Sequence, residues 1–128
     1  MKGHAIECRI NAESPRAGFA PSPGRIETWV PPRSSDIRVD THCHPGYIIP
    51  PYYDSLIAKL IATGNDRAQT IERMKFALNH FVVSGVETNI SFHQRLMGHP
   101  DFIKGDISTR WLEDTVLREK VRMHRSEE

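Results

Sequence analysis

The sequence predicts an α+β domain with an antiparallel, strand-rich N-terminal half followed by helices packed on the sheet. Three observations carry this. Apolar and polar residues alternate with period two from Ala5 to Glu13 and again near Ile37. Clusters of Pro, Gly, Ser and Asp punctuate the first half at short intervals, as turns between strands do. After Gly64-Asn65-Asp66 the apolar period changes to that of a helix.

Taken in order, Ile6, Cys8, Ile10 and Ala12 line one side of the first strand, and Glu7, Arg9, Asn11 and Glu13 the other. Pro21-Ser22-Pro23-Gly24 is a turn or extended connector. Arg25 to Val30 then resumes a strand with Ile26, Thr28 and Val30 on one face. Pro31 to Asp36 breaks the chain again before a third strand in which Ile37, Val39 and Thr41 alternate with Arg38 and Asp40. An antiparallel meander is the simplest expected connection. Tyr47-Ile48-Ile49 is stopped by Pro50-Pro51, and the run Tyr52 to Thr63, largely apolar on both faces, predicts a strand buried on both sides.

Asp66 can cap the main helix, with Gln69 at the capping-box position and Ile71, Met74, Leu78, Phe81 and Val82 as one stripe. Gly85 is expected to end it. Thr88 or Asn89 can cap a shorter helix carrying Phe92, Leu96 and Met97 and stopping at Gly98-His99-Pro100. A last helix from Ser108 would include Trp111, Leu112 and Val116. The charged end, Arg118 to Glu128, is expected to fray. Residues 1–115 therefore read as one domain and 116–128 as a charged tail, partly helical or disordered.

Composition excludes several classes of function. With 128 residues there is room for one ordinary domain. The chain has 17 Lys and Arg against 16 Asp and Glu, which leaves no basic field for nucleic acid and no acidic surplus suited to disorder. The longest apolar stretch, near Leu56 to Ala62, is interrupted by Lys59 and falls short of a bilayer span. Two cysteines, Cys8 and Cys43, are too few for a disulfide scaffold, so a reducing compartment, the cytoplasm or a matrix, is expected. The first residues contain no apolar signal core.

Two stretches could carry chemistry. On the polar face of the first strand, alternate residues lie roughly 6.6 Å apart on the same side. Arg9, between Glu7 and Asn11, is there an oriented, permanently charged fork suited to a carboxylate, a phosphate or a developing enolate oxygen. An ordinary solvated strand face is the alternative. Pro50 and Pro51 stiffen the chain ahead of two tyrosines and Asp54. That carboxylate could orient a cation across a cleft or bond the local backbone. His42-Cys43-His44 suggests surface histidines beside a small buried thiol rather than a metal site, because no second cluster completes a ligand set. Neither cysteine has a local base partner, and no glycine-rich phosphate loop is present.

These segments resemble one family. Gly3-His4-Ala5-Ile6-Glu7-Cys8-Arg9-Ile10-Asn11-Ala12-Glu13, Pro21-Ser22-Pro23-Gly24-Arg25-Ile26, Pro45-Gly46-Tyr47 and Pro50-Pro51-Tyr52-Tyr53-Asp54-Ser55-Leu56-Ile57-Ala58-Lys59-Leu60 look like the C-terminal domain of biotin carboxylase. The likeness continues through Asp66 to Val83 and Gly85-Val86-Glu87-Thr88-Asn89, to about Trp111. It implies a piece of a longer ATP-grasp ligase that uses ATP, magnesium and bicarbonate to carboxylate biotin on a carrier protein. Most of the binding residues for these would lie in preceding domains.

In that family the arginine matching Arg9 contacts the ureido oxygen of biotin and the position matching Asp54 lies near it; Asp54 and Glu7 are expected to support Arg9 here. Arg38 matches an arginine at a homodimer interface. The sequence departs from the family at Ser35, where an aromatic is common, and at Pro31 to Asp36, which replaces a glycine-rich turn. Ala17-Gly18-Phe19-Ala20 also runs one residue longer. The implied partners are the chain's own N-terminal and ATP-grasp domains, a biotin carboxyl carrier domain, a carboxyltransferase and a second copy of the parent. Acetyl-CoA, and hence fatty acid biosynthesis, is the expected destination of the carboxyl group. The isolated piece is expected to fold without turning over. The competing class is a non-catalytic module for assembly or carrier binding.

Overall fold

The computed structural model describes residues 3–51 and 54–104. Tyr52 and Tyr53, the helix expected from Ser108 and the charged end lie outside the described residues. Strands β1 (His4–Asn11), β8 (Leu56–Gly64) and β6 (Ile37–Asp40) form an antiparallel sheet with β8 in the centre. Three small ribbons flank it. β2 (Glu13–Ser14) pairs with β3 (Ala20–Pro21), across a 3-10 turn at Pro15–Ala17. β4 (Gly24–Arg25) pairs with β7 (Ile48–Ile49), and β5 (Thr28–Val30) with β9 (Val82–Ser84). The helices are α1 (Arg67–Asn79), α2 (Ile90–Met97) and α3 (Pro100–Lys104).

The expected meander does not form. Prolines 21, 23, 31 and 32 cut the first half into segments of two to four residues and remove ladder donors, so none can match the eight residues of β1. The nine-residue β8 can, and it pairs along the whole of β1. Cys8 lies opposite Leu60 and Ile10 opposite Ala58, which puts large apolar side chains beside small ones on one face. That face is covered by α1: Leu60, Ala62, Ile10, Met74 and Ala77 are fully buried, with Leu78 at 1% exposure. Burial of this kind contributes roughly 1.5–3 kcal/mol per large apolar side chain.

β8 is not buried on both faces. Lys59 and Ile61 are half-buried and Thr63 is exposed, because no helix covers the second face among the described residues. The segment after Gly24 also differs from the single predicted strand. Ile26 is buried while Thr28 and Val30 are exposed, since Ile26 N–H bonds the Tyr47 carbonyl and Glu27 N–H switches to that of Ser84. Trp29 instead points inward, edge-on to Phe81 at 5.2 Å.

The main helix starts as its capping residues predict. Asp66 is extended, and its Oδ1 accepts from Gln69 N–H at 2.8 Å. The Gln69 side chain reaches back to Asn65 N–H at 2.7 Å, one residue before the capping-box position. The helix ends at Asn79, well before Gly85. The His80 ring lies 2.8 Å from the Phe76 carbonyl, and the β-branched pair Val82-Val83 joins β5 as a strand. α2 runs as expected to Met97. A further short helix then begins at Pro100, where a proline fits the first turn; sequence periodicity gave no sign of it. Arg67 holds α3 on α1 by donating to the Phe102 carbonyl at 2.7 and 3.2 Å and lying 4.7 Å over its ring.

Candidate functional site on the uncovered sheet face

The sheet face away from α1 carries the charged residues of three strands. Register places Arg9 opposite Lys59 and Lys59 opposite Asp40, while in the neighbouring row Glu7 lies opposite Ile61 and Ile61 opposite Arg38. Directly opposed residues in an antiparallel pair project to the same side, so Glu7, Arg9, Lys59, Arg38 and Asp40 share one surface. Arg9 and Glu7 are exposed, and among the described residues the Arg9 guanidinium makes no ion pair. Two cations on adjacent strands, one of them an unpaired planar fork, attract an anion or an oxygen gaining negative charge.

Arg38 is engaged already. Its Nε donates to Asp40 Oδ1 at 2.8 Å, and this bond and charge raise the guanidinium pKa further. The pair is exposed to solvent on the short strand β6. Asp54 lies before β8 with its Oδ1 accepting from Leu56 N–H at 3.0 Å, the local backbone bond that its turn position allows. Nearby, Glu13 Oε1 accepts from Asn11 Nδ2 at 3.2 Å and from Ser55 Oγ at 3.4 Å. A cleft of about 410 Å³ opens beside Asp54, between His42, Tyr47, Ile49 and Ile57.

The His42-Cys43-His44 segment is built around Tyr47. Both histidine rings stand edge-on to it, at 5.2 and 5.6 Å, and Cys43 is buried beneath. Among the described residues no three His, Cys, Asp or Glu side chains gather so as to hold a metal ion. Burial, then the Glu7 charge, pushes the Cys8 thiol up to about 12, and burial raises Cys43, so neither supplies a thiolate. Among the described residues no helix is long and apolar enough to cross a membrane.

Two side chains from the start of α2 meet the same stretch of β1. Asn89 is legible in the sequence as a cap, but its amide bonds the β1 backbone instead. His93, for which neither composition nor periodicity gave any signal, joins it at the Arg9 carbonyl. Only their separation of one helical turn could have suggested a shared target.

The fold and this surface define a helix-backed antiparallel sheet whose open face carries an exposed arginine and a half-buried lysine on neighbouring strands. The chain belongs to the biotin carboxylase C-terminal domain family, whose model matches residues 7–114. It is 52% identical over 114 residues to a biotin carboxylase of Nostoc sp., an alignment covering 89% of this chain and 26% of that protein. It is 53% identical over 113 residues to biotin carboxylase 1 of Bacillus subtilis, covering 88% and 25%. The crystal structure of the biotin carboxylase–β,γ-ATP complex from Campylobacter jejuni superposes with a TM-score of 0.84 at 42% identity, over 89% of this chain and 25% of that one. The chain thus spans about a quarter of the length of the curated relatives it matches.

Proposed function

We propose that this chain is the C-terminal domain of a biotin carboxylase and that Arg9 stabilises charge on the ureido oxygen of biotin during carboxylation. The observation that carries the reading is Arg9 itself, exposed and without an ion pair among the described residues, on a strand of a family-matched domain. In the parent enzyme, ATP and bicarbonate yield carboxyphosphate and then CO2, and the biotin ureido nitrogen attacks the carbon as its proton leaves to a base. Negative charge builds on the ureido oxygen in that step, and a guanidinium already in place stabilises it without reorganisation. Glu7, on the same strand face, and Asp54, just before β8, are the carboxylates proposed to support Arg9 by charge balance.

Metal and nucleotide binding are assigned to preceding ATP-grasp domains, as the family resemblance implies. Residues 1–115 form the working domain and 116–128 a tail. The exposed Arg38–Asp40 edge serves a homodimer of the parent, which works in the cytoplasm with a biotin carrier domain and a carboxyltransferase. Acetyl-CoA is the proposed final acceptor, and an assay offering acetyl-CoA and pyruvate side by side identifies it.

The test is ATP- and bicarbonate-dependent carboxylation of free biotin. The full-length enzyme is expected to turn over and residues 1–128 alone to show none, since a positioned arginine does not replace missing substrate sites. Turnover by the isolated chain, or a well-folded full-length protein without activity, overturns the reading. The second result favours an assembly module.

A further inference from the structure

We infer that Asn89 and His93 are positioning residues that lock the Arg9 peptide from the open edge of β1 and so aim its guanidinium. The inference rests on the role proposed for Arg9. β1 is an edge strand, bonded to β8 along one side only, and its register with β8 shifts between Ile10 and Asn11, next to Arg9. A shifted edge leaves backbone groups unpaired and lets the strand move.

The start of α2 takes up those groups. Asn89 occupies the N-cap position, where an asparagine ordinarily bonds its own helix. Here its side chain makes no capping bond. Its Oδ1 accepts from Asn11 N–H at 2.8 Å, its Nδ2 donates to the Arg9 carbonyl at 3.1 Å, and its own N–H donates to the Asn11 carbonyl at 3.2 Å. One side-chain amide thus plays the part of a peptide in a neighbouring strand, with both its donor and its acceptor used. The residue is only 6% exposed, so these bonds exchange little with water.

His93, one turn further on, brings Nε2 within 2.9 Å of the same Arg9 carbonyl. Nε2 also lies 3.3 Å from Asn89 Nδ2, but the carbonyl contact is the shorter and a carbonyl only accepts, so the tautomer that satisfies it carries the hydrogen on Nε2 and leaves Nδ1 bare. Nδ1 is buried and has no partner among the described residues. Burial depresses the pKa of this ring, which keeps it neutral at pH 7 despite the carbonyl bond that opposes the shift. An unsatisfied buried nitrogen is costly to keep, and its retention here accompanies a second donor on one particular oxygen. The Arg9 peptide is therefore held from both edges, by β8 and by α2, while its side chain stands on the open face.

Catalytic groups need placement within roughly 0.5 Å, and a 1 Å error can cost about a hundredfold in rate. The experiment uses the full-length enzyme with Asn89→Asp, His93→Leu and His93→Gln, each alone and combined with Arg9→Gln. Asn89→Asp keeps the acceptor for Asn11 but turns a carboxylate oxygen on the Arg9 carbonyl; His93→Gln can still donate. Asn89→Asp and His93→Leu are expected to lower kcat for biotin about tenfold or more with an unchanged KM for ATP, and His93→Gln to recover most of it. In the Arg9→Gln background the same changes should cost little, because the group they aim is gone.

An equal loss in both backgrounds assigns the clamp to general folding and overturns the inference. Wild-type kcat in Asn89→Asp and His93→Leu beside an impaired Arg9→Gln overturns it while leaving the Arg9 role standing. Full turnover by Arg9→Gln removes both. If His93→Leu does not fold, Asn89→Asp carries the same comparison.

Discussion

Gly85 links β9 to the loop that delivers Asn89, and replacing it with alanine tests the packing of that region. Its φ is +96°, and a Cβ placed there would lie 2.1 Å from the Arg25 carbonyl oxygen and 2.8 Å from Glu27 N. Both are backbone atoms, so no side chain can swing aside. The left-handed conformation alone costs an alanine about 1–2 kcal/mol. Relief of the clash requires moving β9 from β5, where Glu27 N–H donates to the Ser84 carbonyl at 2.9 Å and Thr28 N–H to Ser84 Oγ at 3.1 Å. Losing those two bonds adds roughly 2 kcal/mol, for a total near 3–4 kcal/mol. Gly18→Ala is the matched control: φ is +64°, but nothing lies within 4 Å of the added carbon, so only the conformational cost of about 1–2 kcal/mol remains. Urea unfolding of both variants, followed by tryptophan fluorescence, measures the difference. Equal losses for the two would refute the claim that the close approach at Gly85, rather than its dihedral, sets the cost.

Three further outcomes are expected. Asp66→Ala removes the acceptor for Gln69 N–H and should lower stability by about 1 kcal/mol in the same urea assay. In the native chain at pH 8, Cys8 and Cys43 should react with a disulfide reagent far more slowly than in urea, as burial raises both thiols, Cys8 to about 12; rapid native labelling of Cys8 would contradict its placement. The buried His93 has a pKa below its ordinary 6.5 when folded, so the unfolded chain takes up a proton that the folded chain refuses. Its contribution is therefore intact above pH 6.5 and declines as pH falls from 6.5 to the lowered folded value. His93→Gln should flatten that part of a stability–pH curve.

Local patterns are legible in the sequence where one element explains them. The alternation around Glu7 and Arg9 places both on an exposed face, and Asp66 with Gln69 locates the start of α1. What escapes is pairing at a distance. Thr28 to Val30 gives no sign that its partner is Val82 to Ser84, so that partner reads as the tail of a helix and the meander follows by default. Likewise β8 reads as doubly buried because composition records that Lys59 sits among apolar residues, and not that α1 covers one face alone. Asn89 is visible as a cap by residue type. Its diversion to β1, with His93 beside it, depends on α2 lying against an edge strand, which neither residue encodes locally.

The central claim is that Arg9 acts on biotin in a carboxylase to which this chain contributes one domain. Its most direct test is the rate of ATP-dependent carboxylation of free biotin by the full-length enzyme with Arg9→Gln, compared with wild type at matched folding and ATP affinity. A fall in kcat of about a hundredfold or more, the scale of losing an electrostatic stabiliser, is the expected result. An active wild-type enzyme with an Arg9→Gln variant of equal turnover would contradict it.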